Sequence, residues 1–229
     1  LFSDATTEYE PDVLRKLLPA FADGTVGCVA GRLIYVDQAD TNVGKGAQSY
    51  WNYETFIKTA ESDACSLIGA SGCLYAVRKD AYVPMYAEAC SDFLVCTMLY
   101  RQGLRSIFEP SAVCFEDTNH RPSDEMKMRV RVISQTYTDL WRNIDMMNPL
   151  RSGFYAVELF SHKVLRYAVP VLLLSLFVSN LLTAEWSVFF SVILAVQVVF
   201  YLMALVGWVL ERVGVRLTFL VIPLYFVLA

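Results

Sequence analysis

The chain changes character near residue 166: apolar and polar residues alternate in short blocks before it, and charges almost vanish beyond it. In the first part, TVGCVAGRLIYV (25–36) is rich in β-branched residues and predicts a strand. Val13, Leu17 and Phe21, following Pro11, predict a helix with one apolar face that ends at the Asp23-Gly24 turn. Tyr50, Tyr53, Ile57 and Ala60 recur at helical spacing and predict a helix over about 48–61. SLIGASGCLYAVRKDAY (66–82) predicts a strand interrupted at Gly69-Ala70-Ser71-Gly72. Asp92 precedes FLVCTMLYRQG, a short helix closed by Gly103. LRSIFEPSAVCFED (104–117) predicts a strand pair or one bent strand, and a helix follows over about 124–142. Alternating strands and helices predict an α/β sheet domain over residues 1–150.

Residues 151–166 carry Phe154, Val157, Phe160, Val164 and Tyr167 along one helical face, with Lys163 and Arg166 off it, the pattern of a helix lying in a membrane interface. Two uncharged stretches follow, at about 167–183 and 186–210, and a third begins at 217. A bilayer core needs about 20 apolar helical residues, with a lower limit near 17, so the first two are long enough to span. Arg151, Lys163 and Arg166 precede the first span and Arg212 and Arg216 follow the second, while the link between them has no Lys or Arg. The positive-inside tendency then places residues 1–150 in the cytosol, on the inner face of a cell membrane crossed more than once.

Composition agrees: 55% of the residues are hydrophobic and 18% charged, too apolar for an ordinary soluble domain. The net charge of −4 argues against nucleic acid as a partner. Six cysteines form no CxxC and sit among apolar neighbours as small hydrophobes, and the two histidines, His120 and His162, are too far apart in the chain to suggest a zinc site.

The residues that can carry chemistry lie near strand ends. Asp4 closes the apolar start LFSD, where it fits either a turn or one ligand of a Mg²⁺ or Mn²⁺ ion on a diphosphate. Asp92, at a helix start, fits either an N-cap or a base accepting a proton from a sugar hydroxyl. The glycines of GASG let a backbone approach a ligand closely, or form a bulge. Arg129 and Arg131, two apart on a predicted helix, do not share a face, so one can reach a phosphate while the other meets solvent or lipid.

In this order the pieces resemble glycosyltransferase family 2, in its membrane-integrated synthases of hyaluronan, cellulose and poly-N-acetylglucosamine type. FSDATT, EPDVLRKLLPAFAD and VGCVAGRL resemble the metal-binding DxD strand, its helix and the next strand. WNYETFIKTAES and GASGCLYAVRKDAY resemble the acceptor side, CSDFLVCTMLYRQGLRSIFEPSAVCFED the helix opened by the Thr-Glu-Asp motif, and ELFSHKVLR the interfacial helix. The resemblance covers Leu1 to about Thr183. It implies a partial GT-A (Rossmann-like) fold that starts after the uridine-binding strands, followed by an interfacial helix and transmembrane helices. It also implies an inverting glycosyltransferase that moves a sugar from a nucleotide-sugar donor, expected to be a UDP-sugar, to a growing polysaccharide. Asp4 matches the first DxD carboxylate and Thr6 stands where the second would be; Asp92 matches the base, with Cys90 and Ser91 in place of Thr and Glu. Of QxxRW only Arg131 survives, with Met128 and Val132 replacing Gln and Trp. Gly69, Ala70, Ser71, Gly72, Arg129 and Arg131 are the expected substrate contacts, Mg²⁺ or Mn²⁺ the expected cofactor, and a glycan or lipid-linked acceptor and membrane lipids the expected partners. Two alternatives stay open: an enzyme that makes a short glycolipid, and a non-catalytic subunit of an envelope assembly.

Overall fold

The structure, a computed structural model, describes residues 1–36, 42–118, 122–213, 215 and 217–228. His120 and Arg216 lie outside the described residues. The elements are β1 (Glu8–Tyr9), α1 (Val13–Leu17), β2 (Val26–Val36), α2 (Asn42–Ala64), β3 (Tyr75–Val77), α3 (Ser91–Arg101) and β4 (Arg105–Asp117). They continue with α4 (Pro122–Arg142), α5 (Pro149–Ser152), α6 (Phe154–Leu159), a π-helical turn at Phe160–Leu165, α7 (Arg166–Thr183), α8 (Val188–Arg212) and α9 (Val221–Leu228).

The strands form one mixed sheet in the order β1-β4-β2-β3, parallel between β2 and β4 and antiparallel at both edges. Both faces of the centre are covered, as parallel pairs require. Cys28 and Ala30 of β2 pack with Val95, Cys96 and Leu99 of α3 on one side. Val29 and Leu33 pack with Val13 and Leu17 of α1 on the other. LRSIFEPSAVCFED is one bent strand. The register jumps from Gly31↔Glu109 to Arg32↔Val113, which pushes out Pro110, Ser111 and Ala112, the place where a residue without an N–H costs no ladder bond.

The strand expected over 66–82 shrinks to Tyr75–Val77. Ahead of it the backbone makes single bonds in several directions, Leu67 N–H to Ser106 O and Ala70 N–H to Asp92 O, and so builds no ladder. LFSD is likewise reduced to one bridge, Phe2 with Tyr75, whose rings stack at 4.9 Å.

Residues 151–166 do not form one continuous α-helix. Gly153, at φ 56°, separates α5 from α6, and α6 runs through the π turn into α7. Tyr155 and Leu159 are buried against Phe93 of α3 and Leu140 of α4, so this segment belongs to the sheet domain's core. Phe154, Val157 and Phe160 face outward. Phe154–Thr183 and Val188–Leu210 are long and apolar enough to cross a membrane, and only 6% and 11% of their most apolar windows is buried, unlike core helices. Gln197 ties the pair together, accepting from Asn180 Nδ2 at 3.2 Å and donating to Leu173 O at 3.2 Å. The third apolar stretch folds back as α9, packing on α8 at Gly207 and reaching α2.

Candidate active site

The candidate residues gather where the backbone leaves the sheet. Phe2 is pinned on Tyr75, and Thr7 N–H closes a turn on Asp4 O at 3.4 Å, which leaves the Asp4 side chain exposed at the rim. Its carboxylate faces Gly72: a Cβ on that glycine would lie 3.2 Å from Asp4 Oδ2. At the other end of the same loop, Ala70 N–H donates to the Asp92 carbonyl at 2.9 Å. A Cβ on Gly69 would come within 3.7 Å of Phe93 Cα. Gly69-Ala70-Ser71-Gly72 is thus one short bridge touching the Asp4 side chain and the Asp92 backbone.

Asp92 sits in the first turn of α3, two positions inside the cap rather than at it, because the helix begins at Ser91 with Cys90 as its cap. Its Oδ1 accepts from Phe93 N–H at 2.9 Å and from the Cys90 thiol at 3.1 Å. Burial, and then the Asp92 charge, push that thiol up to about 12. Asp139 of α4 holds the residue before the helix: its Oδ2 accepts from Cys90 N–H at 2.9 Å and its Oδ1 takes the Tyr86 hydroxyl. Asp92 therefore stands at the positive end of the helix, with Oδ1 engaged by the first-turn Phe93 amide.

Beside Asp4 a cavity of about 190 Å³ is lined by Thr6, Tyr35, Glu116, Glu125, Met128 and Arg129. Glu116 receives the Thr7 hydroxyl, and burial together with the nearby Asp4 charge raises its carboxyl. Arg129 pairs with Glu125 at 2.9 Å and lies over the Tyr50 ring at 4.7 Å. Arg131 is exposed on the opposite side of α4, and Val132, in the place of the expected Trp, packs against the core around Phe93 and Leu140. The structure thus brings Asp4, Thr6, the glycine loop and Arg129 to one rim with Asp92 at the loop's far end, and leaves Arg131 outside.

Sequence reasoning missed a buried polar cluster beneath this rim. Lys58 of α2 donates to Ser71 Oγ at 2.5 Å and steadies the loop. His162, from the π turn, lies between Glu54 (Nε2 to Oε1, 3.1 Å) and Glu61 (at Nδ1). Arg166 holds Glu54 Oε2 and the Tyr50 hydroxyl, each at 2.9 Å. Burial alone would raise Glu54, but His162 and Arg166 hold it well below the ordinary carboxylate value. The signal was present as Glu54, Lys58 and Glu61 at i, i+4, i+7 and His162, Arg166 at i, i+4, two complementary charged stripes.

Two carboxylates, Asp4 and Glu116, with Thr6 and Thr7 hydroxyls beside them, form an oxygen donor set of the kind that Mg²⁺ or Mn²⁺ takes when substrate phosphates supply the remaining ligands. Among the described residues no three His, Cys, Asp or Glu side chains converge to hold a metal by themselves. Oxygens of a bound diphosphate would have to complete the coordination.

No family model matches the chain, and no curated protein does. A solved structure does: the mannosyltransferase PcManGT from Pyrobaculum calidifontis, in complex with GDP-Man and Mn²⁺. It superposes with a TM-score of 0.62 at 19% identity over 99% of this chain. The chain spans 59% of that neighbour's length. At this identity the likeness concerns architecture: the mixed α/β sheet and its helices have a glycosyltransferase-like fold.

Proposed function

We propose that the protein is an inverting glycosyltransferase of the GT-A type that takes a sugar from a nucleotide-sugar donor at the cytoplasmic face of a membrane and passes it to a growing polysaccharide. The observation that carries this reading is the Gly69–Gly72 loop, which meets the Asp4 carboxylate at one end and the Asp92 backbone at the other, on a fold similar to a mannosyltransferase bound to GDP-Man and Mn²⁺. Asp4, with Glu116 and Thr6 beside it, would hold a divalent cation against the donor diphosphate, and that cation would stabilise the departing nucleotide diphosphate. Arg129, on the wall of the cavity beside Glu116, would meet phosphate oxygens of the donor. Asp92 takes the proton from the acceptor hydroxyl as its oxygen attacks the anomeric carbon. The exposed apolar surfaces of α7 and α8 support a site beside lipid, and Arg151 and Arg212 at their flanks support the cytoplasmic orientation.

A second reading, transfer to a lipid-linked acceptor that yields a short glycolipid, is favoured by Val132. The side chain in the position of the Trp of QxxRW packs against the core and offers no aromatic ring to a long glycan. Incubating the intact membrane protein with GDP-mannose and with UDP-sugars, then sizing the products, separates the readings. Asp92→Asn should abolish transfer while donor binding persists; activity near the unsubstituted level would overturn the base assignment.

A further inference from the structure

Lys58 is a buried ammonium without a counter-charge. The side chain is 4% exposed, and among the described residues no carboxylate lies within 4.0 Å of its Nζ. Glu54 and Glu61, one turn to either side on α2, direct all four of their oxygens elsewhere, to His162, Arg166 and the Ile68 amide. What Nζ holds instead is the Ser71 hydroxyl at 2.5 Å, with the Trp51 ring 5.3 Å away. Trp51 in turn meets Tyr35, on the wall of the cavity beside Asp4, at 5.5 Å. Burying a charge against a neutral hydroxyl lowers stability, and an apolar side chain of similar volume would serve packing as well or better. Local rules are broken in this way at functional sites.

We propose that Lys58 is a positioning residue: through Ser71 it fixes the loop that touches both Asp4 and Asp92, and so sets the separation between the metal-side carboxylate and the base. This rests on the reading of Asp4 and Asp92 as those two groups. Ser71 stands midway between the two contacts. On one side Ala70 N–H binds the Asp92 carbonyl at 2.9 Å; on the other a Cβ on Gly72 would lie 3.2 Å from Asp4 Oδ2. The Ser71 carbonyl accepts from Leu74 N–H at 3.1 Å, which turns the chain toward β3. Ser71 is itself 3% exposed, so its bond to Lys58 is shielded from water. A charged donor makes a stronger hydrogen bond than a neutral one, and that suits a loop without a ladder that must keep its place while metal and substrates exchange.

The test is a double-mutant cycle on the intact membrane protein, with Mn²⁺ and either GDP-mannose or a UDP-sugar as donor. Lys58→Met and Ser71→Ala should each lower kcat by about tenfold or more, with the donor KM moved much less. The double variant should be no slower than the slower single one, because both changes cut the same bond. The melting temperature of Lys58→Met should match or exceed the parent's, since an unpaired buried charge is gone. Amide hydrogen exchange over residues 66–74, read without substrate, should quicken at Ala70 and Leu74 in both variants. Parental kcat in the folded Lys58→Met protein, rate losses that multiply in the double variant, or unchanged exchange in the loop overturns the proposal. Ser71→Ala decides by itself if Lys58→Met fails to fold. Full activity in Asp4→Asn or Asp92→Asn would bring down the site reading instead. A parent that transfers neither sugar would bring down the proposed function, and loop exchange then decides whether Lys58 holds the loop.

Discussion

Gly72 and Asp4 are a fitted pair: a Cβ on the glycine would stand 3.2 Å from Asp4 Oδ2 and 3.9 Å from its Cγ. That spacing is tighter than ordinary van der Waals contact, but the crowded atom is the end of an exposed side chain, which can swing away. Gly72→Ala should therefore leave the thermal transition almost unchanged and act on chemistry. With Asp4 displaced by a few tenths of an ångström or more, kcat/KM should fall by roughly ten- to a hundredfold. Circular-dichroism melts beside initial rates check both halves; a large loss of stability with normal rates would contradict the pairing.

Glu116 faces Asp4 with its carboxyl raised by burial and by that neighbouring charge, a situation that a divalent cation relieves. Chelation with EDTA should remove transfer activity, and added Mn²⁺ or Mg²⁺ should restore it. Glu116→Gln should raise the Mn²⁺ concentration for half-maximal activity by about tenfold. A metal titration of initial rates gives the answer, with unchanged metal demand counting against the site.

Glu54 is held well below its ordinary value of 4.5 by His162 and Arg166 against the cost of burial. A carboxylate depressed in the folded state contributes stability in full above its unfolded pKa, and that contribution drains away as pH falls through the lower folded value. The protein should accordingly lose stability as pH drops below about 4.5, the value at which the unfolded carboxyl is half protonated. Glu54→Ala, which strands Arg166 and His162, should cost about 3–5 kcal/mol at neutral pH. Thermal melts of both proteins over a pH series measure the effect; a Glu54→Ala melt that matches the parent at neutral pH would show the cluster to be dispensable.

Gly31 has a different constraint. A Cβ there would meet Leu74 Cδ2 at 2.5 Å and the Ala112 carbonyl at 2.7 Å, where β4 makes its bulge. Backbone oxygen cannot step aside as a side-chain end can, so Gly31→Ala should destabilise by about 1–3 kcal/mol or more through overpacking. A lowered melting temperature, with donor affinity of the surviving folded fraction unchanged, is the expected result.

Between α7 and α8, Gln197→Leu should weaken helix pairing by about 0.6–1.7 kcal/mol, since it removes the bonds to Asn180 and Leu173 O. Unfolding in detergent titrated with dodecyl sulfate reads this directly. A midpoint equal to the parent's would place the stability of the pair elsewhere.

The parts legible in the sequence are those that rest on periodicity. β2 was marked by β-branched residues within a residue of its ends, α4 by spacing, and the two spans by unbroken apolar length. Asp4 and the GASG loop were visible as residue types, but their contact is a tertiary fact with no local signature. Arg129 and Arg131 could be separated in principle by helical phase, yet which one faces inward depends on Met128 and Val132 turning the helix onto the core. The Glu54–His162–Glu61–Arg166 cluster was the hardest to see, because a charged stripe at helical spacing looks the same whether water or a second stripe covers it. Lys163 and Arg166 were read as basic flanks of the first span, off the apolar face, for the same reason, and only packing of Tyr155 and Leu159 turns this segment inward.

The π turn at Phe160–Leu165 lies between the buried anchors of α6 and the apolar length of α7. A π turn needs about one residue more than an α turn to come round, so the surplus residue is absorbed locally. Excising it and rewinding the turn as α-helix would keep Asn180 facing Gln197 and Tyr155 and Leu159 seated. What would change is the aim of the turn's own side chains, so His162 would leave its place between Glu54 and Glu61: the extra amino acid serves as local slack that points one imidazole.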